Sequence, residues 1–164
     1  QEITLTRNYL SLIIVIVALL LAILGYFKFR SPIISLKEAQ VTAADKEGIN
    51  QMKVRVFVKN RSRNTVNKLK IIDRVPHIAE FIPHEHLGTL QPSKVTKSEK
   101  RGTLIRWEIE SLEPYEERII SYNIKSKLKI VGGMSLPETR IKFEAVKGHE
   151  RITSSGPATM FKKH

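Results

Sequence analysis

The residues able to do chemistry are few. The segment Pro83-His84-Glu85-His86, with His77 upstream, is the one metal-like cluster in the sequence. Two histidines at i and i+2 on a strand face the same way and can share a cation with a third ligand. No partner follows at a fixed spacing, so the histidines read as loop residues, and no metal or other cofactor is expected. Serines, histidines and Asp73 are all present, but a nucleophile motif such as Gly-x-Ser-x-Gly is not. Glu110, Glu113, Glu116 and Glu117 gather near a turn, as a solvated acidic patch rather than a tuned acid–base pair. Gly132-Gly133 is too short to cradle a phosphate and lacks a following Lys-Ser or Lys-Thr. With no cysteine in 164 residues, disulfides, thiolate metal sites and a Cys nucleophile are excluded, while the compartment is left open. These residues point away from an enzyme.

What the sequence holds in excess is positive charge, 28 basic against 16 acidic side chains for a net +12. Residues 1–8 carry Glu2 and Arg7, so the whole excess lies from Lys28 onward. Lys94, Lys97, Lys100 and Arg101 fall in a long loop with Glu99 alone opposing them. Lys125, Lys127 and Lys129 alternate along one strand, and Arg140 and Lys142 line another. If those two strands are neighbours, they form a positive stripe suited to anionic lipid head groups or an acidic partner. Near an anionic leaflet each such charge adds up to ~1 kcal/mol, fading within a Debye length. A lysine-rich solubilising surface is the plain alternative. Nucleic acid is disfavoured, because no aromatics interleave with the bases as a stacking platform. Asn60-Arg61-Ser62 is an N-glycosylation acceptor that matters only if the domain lies outside the cell.

The elements that must position these groups begin with an anchor. From Tyr9 to Phe27 runs a charge-free stretch of 19 residues, 13 of them Leu, Ile, Val or Phe. As a helix it is ~28 Å long, the thickness of a hydrocarbon core, and its insertion is favoured by about 4–8 kcal/mol. Tyr9 at one end and Tyr26 with Phe27 at the other are interfacial aromatics. Lys28 and Arg30 follow as a charged stop, and Ser31-Pro32 ends the helix. A cleavable signal peptide is shorter and ends in small residues. Lys28, Arg30 and Lys37 on one side against Arg7 on the other favour a cytoplasmic over an extracellular domain. The lack of an initiator Met suggests a processed N-terminus or the tail of a longer protein.

Past Pro32 the apolar pattern changes to alternation, the mark of half-buried strands. In residues 52–59, Val54, Val56 and Val58 share one face. Asn60 to Asn64 is turn chemistry, and Leu69 and Ile71 then alternate with Lys68 and Lys70 before Asp73-Arg74-Val75-Pro76. Ile105, Trp107 and Ile109 share a face, as do Ile120, Tyr122 and Ile124, and later Ile141 and Phe143. Residues 33–43 and 150–154 complete a set of about seven or eight short strands, with Trp107 as central core aromatic. Antiparallel strands with one apolar face each stack as a sandwich. The organisation read is therefore a tail at 1–8, a transmembrane helix at 9–27, a basic stop and tether at 28–37, a sandwich at 38–156 and a C-terminal tail at 157–164.

The order of Val-Lys-Asn (58–60), Asp-Arg-Val-Pro (73–76), Gly-Thr-Leu (88–90), Trp-Glu-Ile (107–109), Ser-Leu-Glu-Pro-Tyr-Glu-Glu (111–117) and Ile-Ser-Tyr-Asn-Ile (120–124) resembles the Ig-like conserved-repeat domain of unknown function found in archaeal and bacterial membrane and envelope proteins. Tyr115 stands where that pattern usually has Gly, and Leu136 to Phe143 looks like the closing strand of archaeal membrane-anchored versions. The likeness covers roughly residues 50–146. It implies an Ig-like sandwich without catalytic function, and many relatives sit outside the cell, against the charge-based orientation. The expected function is a non-enzymatic, membrane-anchored Ig-like module serving as adaptor for an unidentified protein or the membrane surface. The alternative is a structural subunit of the envelope or of a surface filament. A pilin-type subunit would start its apolar helix at the first residues and run it into the domain, whereas Ser31-Pro32 interrupts it here.

Overall fold

The computed structural model describes residues 9–45, 48–83, 90–130, 133–144 and 148–161. The chain divides into two compact units, Gln1–Ser31 and Pro32–His164.

The first unit contains helix α1, Leu10–Phe29. It starts without a side-chain cap on Tyr9 or an acid in its first turn, two features that support helix ends in water. Its described large apolar side chains are 44–64 % exposed on every side, so no stripe is set aside for a protein core. At the far end the Arg30 guanidinium lies 5.8 Å from the centre of the Tyr26 ring. Among the described residues no helix is long and apolar enough to cross a membrane.

The second unit is an antiparallel β-sandwich. Its strands are β1 (Ile33–Asp45), β2 (Gly48–Asn60), β3 (Val66–Val75), β4 (Ala79–Ile82), β5 (Lys94–Ser98), β6 (Gly102–Leu112), β7 (Glu117–Ile130), β8 (Gly133–Leu136), β9 (Arg140–Glu144), β10 (Glu150–Ser154) and β11 (Ala158–Phe161). A four-stranded sheet runs β1-β2-β7-β4, a five-stranded sheet runs β10-β9-β3-β6-β5, and β11 pairs with β8. The alternation read from the sequence sets the inward faces. Met52, Val54, Val56 and Val58 from β2 and Ile120 and Ile124 from β7 are fully buried. They meet Leu69, Ile71, Ile105, Trp107, Ile141 and Phe143 of the other sheet in one core. Trp107 is the central aromatic, 5.6 Å from the Tyr122 ring, and its indole N–H donates to the Leu90 carbonyl at 3.2 Å.

Among the described residues eleven strands replace the expected seven or eight. The additions are short: β4 and β8 have four residues each, too few for alternation to register. β5 is exposed along its whole length, so the segment of Lys94 and Lys97 reads as loop in sequence yet pairs with β6. The expected C-terminal tail supplies β11. The expected tether is shorter than 28–37, because β1 begins at Ile33 and carries Lys37 inside.

Of the four described residues with left-handed backbone, Lys68, Gly102, Tyr115 and Gly148, two sit in the turns that flank β6. Gly102, at φ 82°, opens β6 so close to the β3 end that an added Cβ would lie 2.1 Å from the Val75 carbonyl oxygen. Tyr115, at φ 62°, sits in the turn between β6 and β7. An L-residue there costs roughly 1–2 kcal/mol, against about 0.5–1 kcal/mol for the extra unfolded freedom of glycine. Tyr115→Gly should therefore stabilise the domain by about 0.5–1 kcal/mol in urea denaturation, with an unchanged m-value; a loss of stability would show that the tyrosine side chain supports the turn.

Candidate interaction surface

Period-two spacing places two charged residues in phase with the core. Lys37 follows Ile33 and Ser35 on the inward side of β1, and Asp73 follows Leu69 and Ile71 on β3. Their side chains are both 0 % exposed, and the Lys37 ammonium donates to Asp73 Oδ1 at 2.6 Å. Lys37 also donates to the Pro137 carbonyl at 2.9 Å. The Tyr122 hydroxyl donates to Asp73 Oδ2 at 2.7 Å, and the Arg74 backbone N–H to Oδ1 at 2.8 Å. The aspartate thus joins β1 and β7 of one sheet to β3 of the other. Burial lowers the Lys37 pKa below its ordinary range, and the Asp73 charge and hydrogen bond work against that shift. Burial, followed by the charge and hydrogen bond of Asp73, pushes the Tyr122 phenol well above its usual range. Asp73 and Pro137 border a concavity on the outer side of the five-stranded sheet, but the Lys37 and Asp73 side chains are fully buried and their contacts tie the two sheets together.

Asn60 is a second internal hub. Its amide nitrogen donates to the carbonyls of Asn64, Leu112 and Glu113 at 2.8–3.0 Å, and its oxygen accepts from the Ser62 backbone and hydroxyl. The residue is 0 % exposed. A glycan on that nitrogen would have to displace all three contacts, so the folded domain does not present Asn60 as an acceptor. The expected acidic patch is also absorbed. Glu116 accepts from the Glu113 backbone N–H and from Arg118, both at 2.7 Å, and these contacts hold its carboxyl below the usual range. Glu113 accepts from Thr65 at 2.9 Å, and Glu117 pairs with Lys59 at 3.3 Å. Of the metal-like cluster, His84, Glu85 and His86 lie outside the described residues, among which no group of three or more metal-ligating side chains occurs.

The surface cations separate. Lys125, Lys127 and Lys129 belong to β7 in the four-stranded sheet, and Arg140 and Lys142 to β9 in the five-stranded one. The two strands are not neighbours, so the single positive stripe expected from sequence does not form. Lys100 and Arg101 occupy the β5–β6 turn, and Lys97 pairs with Glu80 at 3.6 Å. Lys94, Arg140 and Lys142 instead share the outer face of the five-stranded sheet with three cations that sequence reasoning missed: Lys70, Arg74 and Arg106. Register carries this grouping. Lys142 pairs with Lys70, Arg140 with Ile72, Ile72 with Arg106, and Arg106 with Lys94. A shallow concavity of about 520 Å³ on this face has Ile72, Leu104 and Ile152, the cations Arg74, Arg140 and Lys142, and the acidic residues Asp73 and Glu138 in its lining.

No protein family matches the sequence, and no curated protein matches it either. Solved structures do. The chain is similar to the full-length major pilin SpaD from Corynebacterium diphtheriae, with 11% identity over 77% of this chain and 35% of that one, at a TM-score of 0.51. It is also similar to an inactive mutant of the GH20 exo-β-N-acetylglucosaminidase from Vibrio harveyi, with 11% identity over 78% of this chain and 18% of that one, at 0.50. A non-cellulosomal cohesin from the archaeon Archaeoglobus fulgidus aligns over 78% of this chain and 90% of its own at 11% identity, with a TM-score of 0.47. The chain spans only a minor part of the pilin and of the glycosidase. At these identities the likeness establishes the fold alone, an Ig-like antiparallel sandwich.

Breaking a buried ion pair from one side leaves an uncompensated charge. Lys37→Met or Asp73→Asn should each cost about 3–5 kcal/mol in urea denaturation, and Lys37→Met/Asp73→Leu should cost less than either; additive losses would contradict a coupled pair. A pH series tests Tyr122. The folded state keeps its proton where the unfolded chain releases it, so stability falls as pH rises above about 10. Lys37, lowered from 10.5 in the folded state, acts with the opposite sign, its contribution rising with pH below about 10.5. Tyr122→Phe removes the first effect and keeps the second. Its alkaline loss of stability should be shallower by up to about 1.4 kcal/mol per pH unit; an unchanged slope would refute the burial of the phenol.

Proposed function

We propose that this protein is a non-enzymatic, membrane-anchored Ig-like adaptor, with residues 9–27 crossing the bilayer once and the sandwich docking another protein. The observation that carries the reading is α1. The charge-free run of 19 residues from Tyr9 to Phe27 lies in a helix whose described apolar side chains stay exposed all round, a pattern that supports a lipid-facing segment. The sandwich supports the second half. Its buried titratable groups are engaged with one another, and the described carboxylates near the acidic turn serve hydrogen bonds and ion pairs. Membership of the conserved-repeat domain family rests on the ordered motifs from Asn60 to Ile124. Two of them have physical roles here, Asn60 as a turn hub and Asp73 as the inter-sheet carboxylate.

The charge bias of Lys28 and Arg30 over Arg7 favours a cytoplasmic domain. Adaptor and filament subunit differ in their neighbours: an adaptor gives one defined hetero-adduct on cross-linking in native membranes, a filament subunit a ladder of self-polymers. The anchor is tested by alkaline carbonate extraction of membranes. The full chain should stay in the pellet, and a form lacking residues 1–31 should be released; release of the full chain would remove the anchor. Protease added outside sealed cells should leave the sandwich intact, and its digestion would place the domain outside.

A further inference from the structure

The outer face of the five-stranded sheet holds an arrangement that folding alone does not favour. Side chains directly opposite on neighbouring strands lie about 5 Å apart at Cβ, and like charges there are destabilising. Two such pairs occur on this face, Lys70 with Lys142 and Lys94 with Arg106. Arg140 and Arg106 flank Ile72 from either side, and Arg74 faces Leu104 in the next row. Among the described residues, Lys70, Arg74, Lys94, Arg106 and Lys142 form no ion pair, although Glu108 stands opposite Lys70. Arg106 Nε is shielded from solvent with no hydrogen-bond partner, a loss that an incoming acceptor would repair. Arg140 alone of the group is paired, with Glu138, which also lines the concavity, at 3.1 Å. Toward the other end of the face the sign changes, where Glu144 lies opposite Glu150 and takes up Lys68 at 2.8 Å. Asp73 and Glu138 also line the concavity, but they are paired with Lys37 and Arg140, so Arg74 and Lys142 leave its wall net positive.

That concavity is not purely electrostatic. Ile72 and Leu104 are partly exposed within it, and Ile152 on β10 is 62 % exposed at its side. Unpaired cations around an apolar depression suit a ligand with spaced carboxylates and an apolar side chain between them. A lipid head group offers the charge but no apolar group at that spacing. We propose that the outer face of the five-stranded sheet, centred on Ile72, docks an acidic segment of a partner protein and seats one of its apolar side chains against Ile72, Leu104 and Ile152. This rests on the adaptor reading and names the chemistry of its partner.

The test uses the full chain held in phosphatidylcholine nanodiscs and a fluorescein-labelled peptide of repeating Glu-Glu-Leu, read by anisotropy. Binding should saturate and weaken with added salt. Reversal of three cations at the concavity, Arg74→Glu/Arg140→Glu/Lys142→Glu, should raise Kd by at least about thirtyfold. The equal reversal on the other sheet, Lys53→Glu/Lys125→Glu/Lys127→Glu, should change it less than about threefold. Should the triple variant fail to fold, Ile152→Ser alters one exposed side chain and should weaken binding about fivefold, as should a Glu-Glu-Ser peptide. Lys142→Glu alone removes a like-charge pair and should raise Tm by about 1–3 °C while weakening the peptide. Equal losses from both reversals, or no saturable binding, overturn the proposal. So does sedimentation by phosphatidylserine vesicles through these three cations in place of peptide binding. Loss of peptide binding with the hetero-adduct in membranes retained rejects this face and leaves the adaptor standing; a self-polymer ladder rejects the adaptor itself.

Discussion

A lysine and an aspartate, each with no exposed side-chain surface, face one another at 2.6 Å between the two sheets of this domain. Taking such ions out of water is costly unless every remaining donor and acceptor is met. Here Pro137, Tyr122 and the Arg74 backbone supply the partners. The aspartate accepts from β1 and β7 on one side and from its own strand on the other, so a slip of one residue in either β1 or β3 would strand a charge in the core. Apolar stacking alone tolerates sliding of sheet over sheet. The ionic node does not, and it pins the pairing on which both outer faces depend.

That dependence matters because the outer faces carry the surface chemistry. Once β3, β5, β6 and β9 are fixed in register, Lys70 must stand opposite Lys142 and Arg106 opposite Lys94. The same register leaves Lys125 and Lys127 on the opposite sheet, where Glu80 lies across from Lys125. Two cationic surfaces result, and the one on the five-stranded sheet is built around an apolar depression.

Much of this was legible in the residues. The alternation of Val54, Val56 and Val58, or of Ile105, Trp107 and Ile109, gives strand, inward face and layered packing, because period two has one structural meaning. The same rule applied to Leu69-x-Ile71-x-Asp73 and Ile33-x-Ser35-x-Lys37 would have put both ions inside, but charge is ordinarily a sign of solvent and Lys37 adjoins a helix stop. Strands of four or five residues such as β4 and β8 leave no periodic signal, and β5 has no apolar face to alternate. Which strands are neighbours is set by long-range pairing across the sandwich. The separation of Lys125 from Arg140, and the meeting of Arg140 with Arg106 across Ile72, therefore had no local trace. Tyr115 departs from glycine at a turn that still takes the left-handed backbone, so the turn is held by its surroundings, including the Glu113–Glu116 contact.

The lysine ammonium groups themselves offer the most direct test of the ionic node. In nitrogen-15 spectra of the full chain in phosphatidylcholine nanodiscs, Lys37 should give a slowly exchanging Nζ signal apart from the other lysines, and the signal should vanish in Lys37→Met and shift in Asp73→Asn. A single averaged lysine pool in rapid exchange with water would mean that no buried Lys37–Asp73 pair holds the two sheets together.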